Sequence, residues 1–158
     1  MPEFKYKQLI QAPMEVCFEL ARNVDIHMQI TKDQAVCGVT EGLLEEGDNV
    51  TWEVQHFGIK QRLTAMVSFM DSPHKLVIMV RGTFQTYTHI REFFEVSDGT
   101  MMVGMLEYRS PFGLVGILAD KLFLERYMQT LIKSRAKTFK KIAEAEVSQN
   151  LKGDTSSQ

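Results

Sequence analysis

The chain has 158 residues, of which 44% are hydrophobic and 24% charged, values that predict one globular domain with a core and room for a pocket. Its net charge of -2 argues against a general nucleic-acid binder, and we expect no DNA partner, because neutralising phosphates requires a basic excess. No stretch approaches the roughly 20 apolar residues of a membrane span, so no transmembrane segment is predicted.

The two cysteines, Cys17 and Cys37, are too few for a disulfide framework and lack metal-ligand spacing. Reduced thiols are usual in the cytosol. The N-terminal stretch MPEFKYKQ lacks the apolar region of a signal peptide. We therefore expect a cytoplasmic protein that is a monomer or a weak homodimer.

The first third of the chain predicts one strand and two short helices. Residues 4–11 alternate in polarity, as a strand does, and Ala12-Pro13 ends the pattern. Residues 14–22 then place apolar side chains at helical spacing, and residues 23–31 predict a turn with a second short helix.

From residue 34 onward, apolar residues recur at every second position between turn signals, which predicts six further strands joined mostly as hairpins. The predicted strands span residues 35–40, 49–57, 59–69, 76–81, 84–96 and 100–109. Together with the first strand they form a seven-stranded antiparallel sheet.

The run from Ser110 to Val147 predicts a long amphipathic helix whose apolar stripe includes Leu118 and Leu122. At 1.5 Å per residue it would reach about 50 Å, so we expect it to bend, or to break near Gly113 and Gly116. Its apolar stripe must pack on the sheet. A curved sheet that wraps one helix leaves a space between them, which is the predicted ligand site.

The predicted organisation is a single α+β domain over residues 1–147. A polar segment, residues 148–158, follows it and is rich in Ser, Gly and Asp. We expect this segment to be a flexible tail.

The segment Ile10–Ala21, with Asp25 and His27, resembles the opening of the START-like polyketide cyclase/dehydrase (SRPBCC) superfamily. Later segments look like landmarks of one bacterial branch: Trp52–Ile59, Leu63-Thr64, Arg81-Gly82-x-Phe84, Phe94–Thr100 and Tyr108-x-x-Pro111-x-Gly113. The resemblance covers about residues 4–145. It implies the helix-grip fold, a curved seven-stranded antiparallel sheet around a long C-terminal helix, with two short helices after the first strand.

The same resemblance implies a pocket for a hydrophobic ligand. The superfamily includes lipid carriers, hormone receptors, coenzyme-Q-binding proteins and aromatase/cyclases. It supplies no catalytic motif that this sequence matches, so no catalytic residue is assigned from it.

Pairing across Gly58 places one set of side chains on the face that should meet the helix: Val50, Trp52, Val54, His56, Ile59, Gln61, Leu63, Ala65, Val67 and Phe69. The opposite face, with Glu53, Lys60 and Arg62, should meet water. Trp52, His56 and Gln61 are the polar-capable members of the apolar set. They either form core hydrogen bonds or orient a ligand next to Leu63.

The strand at residues 84–96 has two possible inner faces. Tyr87, His89, Arg91 and Phe93 share one face, and Thr86, Thr88, Ile90, Glu92 and Phe94 share the other. If the first face is concave, Arg91 and His89 meet an anionic or carbonyl group and Glu107 can pair with one of them. If the second is concave, these charges are solvated.

Three further features bear on the pocket. Arg81 lies next to a turn, either at the pocket mouth or on the surface. Six methionines, among them Met105, lie in or beside the strands, where flexible side chains suit variable apolar ligands or an ordinary core. The basic run Lys133–Lys141 is either a solvated helix face or a contact for a membrane or an RNA assembly.

No metal site and no cofactor are predicted, because the four histidines are far apart and no Gly-rich phosphate loop or nucleophile elbow is present.

The sequence thus predicts a domain that binds a small hydrophobic or aromatic molecule, such as a lipid, a quinone or a polyketide-like compound. Two alternatives remain open. One is a cyclase, aromatase or dehydratase that uses His56 or His89 as general acid/base and Tyr87 to polarise a carbonyl. The other is an interaction protein that uses the basic helix.

Overall fold

The computed structural model describes residues 3–56, 58–82, 86–109 and 113–156, with their side chains except at 56, 59, 109, 113–124 and 150–156. The elements in chain order are β1 (Glu3–Ile10), α1 (Met14–Ala21), α2 (Val24–Thr31), β2 (Gln34–Gly38), β3 (Asn49–His56), β4 (Ile59–Asp71), β5 (Lys75–Gly82), β6 (Thr86–Val96), β7 (Gly99–Arg109) and α3 (Gly113–Ser156).

The seven strands form one antiparallel sheet in the order β1-β7-β6-β5-β4-β3-β2. Consecutive strands from β2 to β7 are therefore neighbours, and β1 joins the sheet beside β7. The sheet is curved, α1 and α2 follow β1, and α3 ends the fold. The predicted helix-grip fold is confirmed.

Glycine allows the turn that connects β6 to β7. Gly99 has a φ of 142°, and a side chain there would collide with the backbone carbonyl of Ile10 on β1. This conformation is rarely open to other residues. Gly99 therefore lets β1 pair with β7 along its full length, from Glu3–Glu107 to Ile10–Thr100.

Alternation in β3 and β4 places their apolar residues in the core, as predicted. The buried members are Val50, Trp52, Val54, Leu63, Ala65 and Val67. Lys60 and Arg62 on the opposite face are exposed. Because successive side chains of a pleated strand point to opposite faces, the same two-residue period places the apolar set in the core and the charged set outside.

The prediction for Phe69 is wrong, because this side chain is 45% exposed. The pairing of β4 with β5 shifts between Val67 and Phe69. Such a bulge adds one residue to a strand and reverses the face of those that follow. Met70 packs against the core in its place.

Helix α3 packs against the sheet through Ile132, Ala136, Phe139 and Ala143, which are buried and spaced by three or four residues. The structure differs from the prediction in the length of this helix. It is unbroken from Gly113 to Ser156, a run of 44 residues. One helical glycine costs only about 1 kcal/mol relative to alanine, which explains why Gly116 does not break it.

The segment expected to be a flexible tail is also helical, up to Ser156. Residues 148–156 contain no proline that would end the helix. The predicted helix start at Ser110 lies outside the described residues.

Candidate functional site

A cavity lies between the sheet and α3. Its volume is about 130 Å³, close to that of a cavity that can hold one benzene ring. Strands β3, β4 and β5 line it with apolar side chains, namely Val50, Val54, Leu63, Ala65, Ile78 and Val80. An apolar wall with a few convergent polar groups is typical of a small-molecule site.

The polar groups that the sheet adds to the cavity come from β6 and β1, on the side of the sheet away from β2. β6 contributes Tyr87, His89 and Arg91, and β1 contributes Tyr6. The first of the two faces predicted for residues 84–96 is therefore the concave one, while Phe94 on the second face is 49% exposed. One side of the cavity is thus apolar and the adjoining side can form hydrogen bonds.

Tyr6 reaches His89 across the intervening strand because Gly104 has no side chain. Gly104 pairs with Tyr6 on one side and Arg91 on the other, and a side chain at this position would collide with the Tyr6 ring. The Tyr6 hydroxyl oxygen lies 2.7 Å from Nε2 of His89. This distance is a hydrogen bond, and the tautomer of His89 decides which group donates.

Burial holds both members of this pair in their neutral forms. It raises the pKa of Tyr6, against the opposing effect of Arg91. Burial, assisted by the positive charges of Arg91, His27 and Arg135, lowers the pKa of His89 well below its usual 6.5. At neutral pH the pair is a phenol and an imidazole, which can donate to or accept from a ligand oxygen.

Arg91 is a cation on the cavity wall. Its Nη2 donates a hydrogen bond of 3.0 Å to the carbonyl oxygen of Ala21. Burial lowers the pKa of Arg91, but a guanidinium remains protonated at neutral pH. Within the described part of the chain, no carboxylate forms an ion pair with it.

A second polar group lies at the α2 end of the cavity. Oδ2 of Asp33 lies 3.7 Å from Nε2 of His27 and 4.0 Å from Nη2 of Arg135. The ring of His27 stacks at a tilt on Trp52, with centroids 4.3 Å apart. The His27 side chain lines the cavity and is 40% accessible. Its partial burial lowers its pKa, although the nearby Asp33 carboxylate acts to raise it.

Five residues predicted to contact a ligand line this cavity: Trp52, Leu63, Tyr87, His89 and Arg91. They come from three strands that the sequence separates by up to 39 positions. Their contact with a ligand remains a prediction.

Four other residues predicted to contact a ligand do not line the cavity: Arg81, Met105, Glu107 and Gln61. Alternation places Met105 and Glu107 on the outer face of β7, since Met102, Gly104 and Leu106 point inward and are buried. Glu107 therefore forms no ion pair with His89 or Arg91. Arg81 is exposed for the same reason, because its neighbour Val80 is the buried residue in β5.

Gln61 does not line the cavity, although it is partly buried beside Val54 in the sheet. Its Oε1 is buried and has no hydrogen-bond partner among the described residues. The side chains of His56, Leu118 and Leu122 lie outside the described part of the structure.

Four residues of the cavity were not among the predicted site residues: Tyr6, His27, Asp33 and Arg135. Gly104 was an available signal, since a glycine inside a strand often marks close approach by another group. Arg135 belongs to the basic run Lys133–Lys141, whose basic residues were all predicted to lie on one exposed face of the helix.

The structure divides that basic run. Arg135 lines the cavity, and Nζ of Lys133 lies 5.8 Å from the centroid of the Phe4 ring. Nζ of Lys140 donates to the Leu9 carbonyl oxygen at 2.9 Å and pairs with Glu144 at 3.2 Å. Only part of the run is therefore left for a membrane or RNA contact.

Among the described residues, no group of three or more His, Cys, Asp or Glu side chains could hold a metal ion. None of the described helices is both long enough and apolar enough to span a membrane.

No protein-family model matches this chain, and no curated protein matches it. Solved structures do match. A protein from Thermus thermophilus is 22% identical with a TM-score of 0.71, and the match covers 92% of this chain and 99% of that one. A protein of unknown function from Staphylococcus aureus is 13% identical with a TM-score of 0.73, covering 93% and 96%.

The protein Ara h 8.0201 is 9% identical with a TM-score of 0.62, and the match covers 87% of this chain and 97% of that one. At such identities the similarity concerns the backbone alone. The comparisons therefore support the helix-grip fold, and they do not identify a family or an activity.

Proposed function

We propose that this protein binds a small hydrophobic or aromatic molecule, such as a lipid, a quinone or a polyketide-like compound, between its sheet and α3. The observation that carries the proposal is the cavity itself, whose wall from β3–β5 is apolar while β1 and β6 add hydrogen-bonding groups. An apolar body would lie on the first wall and a polar end would meet the second. We infer that Trp52, Leu63, Tyr87, His89 and Arg91 contact this ligand.

The size of the cavity limits the ligand. A volume of about 130 Å³ is close to that of a cavity that holds one benzene ring, and because the cavity is partly open, the rest of a larger ligand would extend out of it. A compound with one or two rings, or a medium-length acyl chain, satisfies this limit. We therefore choose 2-naphthol, a neutral fluorescent compound, as the first probe.

Ala65→Phe tests the proposal, because Ala65 is buried in the apolar wall and a phenyl group there would fill the cavity. We expect 2-naphthol to bind the native protein and to raise its melting temperature, with binding at least about tenfold weaker in Ala65→Phe. The matched control is Thr64→Phe, one residue away on the exposed outer face.

Fluorescence titration and thermal unfolding measure both quantities. The proposal fails if neither 2-naphthol nor any compound in a broad apolar panel raises the melting temperature of the native protein. Native mass spectrometry of protein purified from its own cells would then show whether any molecule is retained.

A second candidate function is catalysis of the cyclase, aromatase or dehydratase type. One observation favours it, the 2.7 Å hydrogen bond between the Tyr6 hydroxyl and His89. A neutral imidazole next to a phenol suits general acid/base chemistry on a carbonyl compound. The variant His89→Gln separates catalysis from binding.

A further inference from the structure

The charged groups of the cavity wall are mostly cationic. Arg22, Arg91 and Arg135 line it, whereas Asp33 is the carboxylate among the described lining residues. Arg22 is compensated, since its guanidinium pairs with Glu19 at 3.0 Å and Glu45 at 2.8 Å.

Asp33 is the counter-charge of Arg135 and forms no ion pair with Arg91. Its Oδ2 lies 4.0 Å from Nη2 of Arg135 and 3.7 Å from Nε2 of His27. Arg91 has a neutral partner, the Ala21 carbonyl oxygen, which accepts one of its five N–H groups. The charge of Arg91 is thus without an ion-pair partner in the part of the chain that the structure describes.

A partly buried cation without a counter-charge is costly unless an anion supplies one. The planar guanidinium presents paired N–H donors that match the two oxygens of a carboxylate. The neighbouring Tyr6–His89 pair adds a group that can donate a further hydrogen bond. The apolar residues of β4 and β5 that share the cavity, Leu63, Ala65, Ile78 and Val80, suit a hydrocarbon attached to that anion.

We infer that the ligand is a small amphipathic carboxylic acid, bound as its anion, with the carboxylate on Arg91 and the hydrocarbon against β4 and β5. This inference rests on the proposed binding function and specifies its ligand class. Aromatic acids and medium-chain fatty acids share the chemistry, and either can place part of its hydrocarbon in the partly open cavity.

The test compares each acid with its isosteric neutral amide at pH 7.5, namely 2-naphthoate with 2-naphthamide and octanoate with octanamide. We expect calorimetry to show that at least one acid binds about ten- to a hundredfold more tightly than its amide, as charge-assisted hydrogen bonds predict. Arg91→Met should reduce this ratio to about one while the amide still binds.

Arg81→Met is the matched control, because Arg81 is an exposed arginine on the neighbouring strand. It should keep the acid preference of the native protein. If Arg91→Met does not fold, Arg91→Gln replaces it, since glutamine can still donate to the Ala21 carbonyl oxygen.

Equal affinity for both acids and their amides would overturn the inference and leave the proposed function intact, provided that 2-naphthol binds. Retention of the acid preference in the Arg91 variant would overturn the role of Arg91. Failure of acids, amides and 2-naphthol alike would overturn the inference together with the proposed function.

Discussion

The hydrogen bond between Tyr6 and His89 joins residues 83 positions apart and depends on the absence of a side chain at Gly104. Its two members differ from the other polar groups of the cavity, because burial keeps both neutral at neutral pH. A neutral pair suits hydrogen bonding to a ligand and also suits proton transfer. The role of the imidazole therefore distinguishes a carrier from an enzyme.

His89→Gln separates these two functions, since glutamine can form hydrogen bonds but cannot titrate near neutral pH. In a carrier we expect the affinity for 2-naphthol to fall about fivefold, the usual effect of one neutral hydrogen bond. In an enzyme, loss of a general acid or base lowers the rate about a hundred- to ten-thousandfold. Binding is measured by fluorescence titration, and turnover by mass spectrometry on a panel of polyketide-like carbonyl compounds.

The binding function is the one we expect. Discovery of a compound whose conversion is abolished in His89→Gln, while its binding persists, would contradict that expectation. Tyr6→Phe serves as the companion variant, because it removes the hydroxyl and retains the ring.

Two strands show what can be predicted from sequence and what cannot. In β3, strict alternation assigned Val50, Trp52 and Val54 to the core, and all three are buried. In β6 both faces mix apolar and polar residues, so alternation alone could not choose between Tyr87 and Thr88 as inward residues. That choice depends on pairing with β7, a contact that sequence spacing does not specify.

The bulge in β4 illustrates a second limit. The polarity pattern continues through Phe69 as if the strand were regular, yet the structure shifts register after Val67. A bulge is set by the fit between β4 and β5 and by the curvature of the sheet. Similarly, Met105 was predicted to contact the ligand because a flexible methionine suits a pocket, whereas the pleat of β7 directs Met102 and Leu106 inward.

Helix α3 provides both a wall of the cavity and a large part of the core. Phe139 is central to this role, since it is 4% exposed and also lines the cavity. Ala143, one turn further along, is fully buried. The docking of the helix on the sheet should therefore depend on Phe139 more than on its exposed neighbours.

We expect Phe139→Ala to lower the free energy of unfolding by about 3–5 kcal/mol, the usual effect of removing a buried phenyl group. Lys137→Ala changes an exposed residue of the same helix and should alter it by less than about 0.5 kcal/mol. Urea unfolding followed by circular dichroism measures both values. Similar losses in the two variants would show that α3 does not dock through Phe139.

The polar groups of the cavity come from β1, α2, β6 and α3, the two ends and the middle of the chain. No local motif connects them, so the sequence revealed the fold more fully than the site. Their assembly places Arg91, Arg135 and, when it is protonated, His27 close enough to His89 to lower its pKa. The folded protein consequently disfavours additional protons in its cavity.

This charge arrangement predicts that stability falls as the pH is lowered. His89 has a pKa well below 6.5 in the folded protein, through burial and the neighbouring cations, and recovers about 6.5 on unfolding. Between these values the unfolded chain binds more protons, so the free energy of unfolding decreases below about pH 6.5, by at most about 1.4 kcal/mol per pH unit for this group. Burial of His27, whose pKa is also lowered, acts in the same direction.

Urea unfolding of the native protein, His89→Gln and His74→Gln between pH 7.5 and pH 5 tests this prediction. The native protein and His74→Gln, which changes an exposed histidine, should lose stability in parallel as the pH falls. His89→Gln should lose less, because it lacks the group that takes up a proton on unfolding. The carboxylates are the same in all three proteins, so their protonation affects each curve alike. An equally steep loss in His89→Gln would mean that His89 does not remain neutral in the folded cavity, and that burial and the neighbouring Arg91 and Arg135 do not lower its pKa.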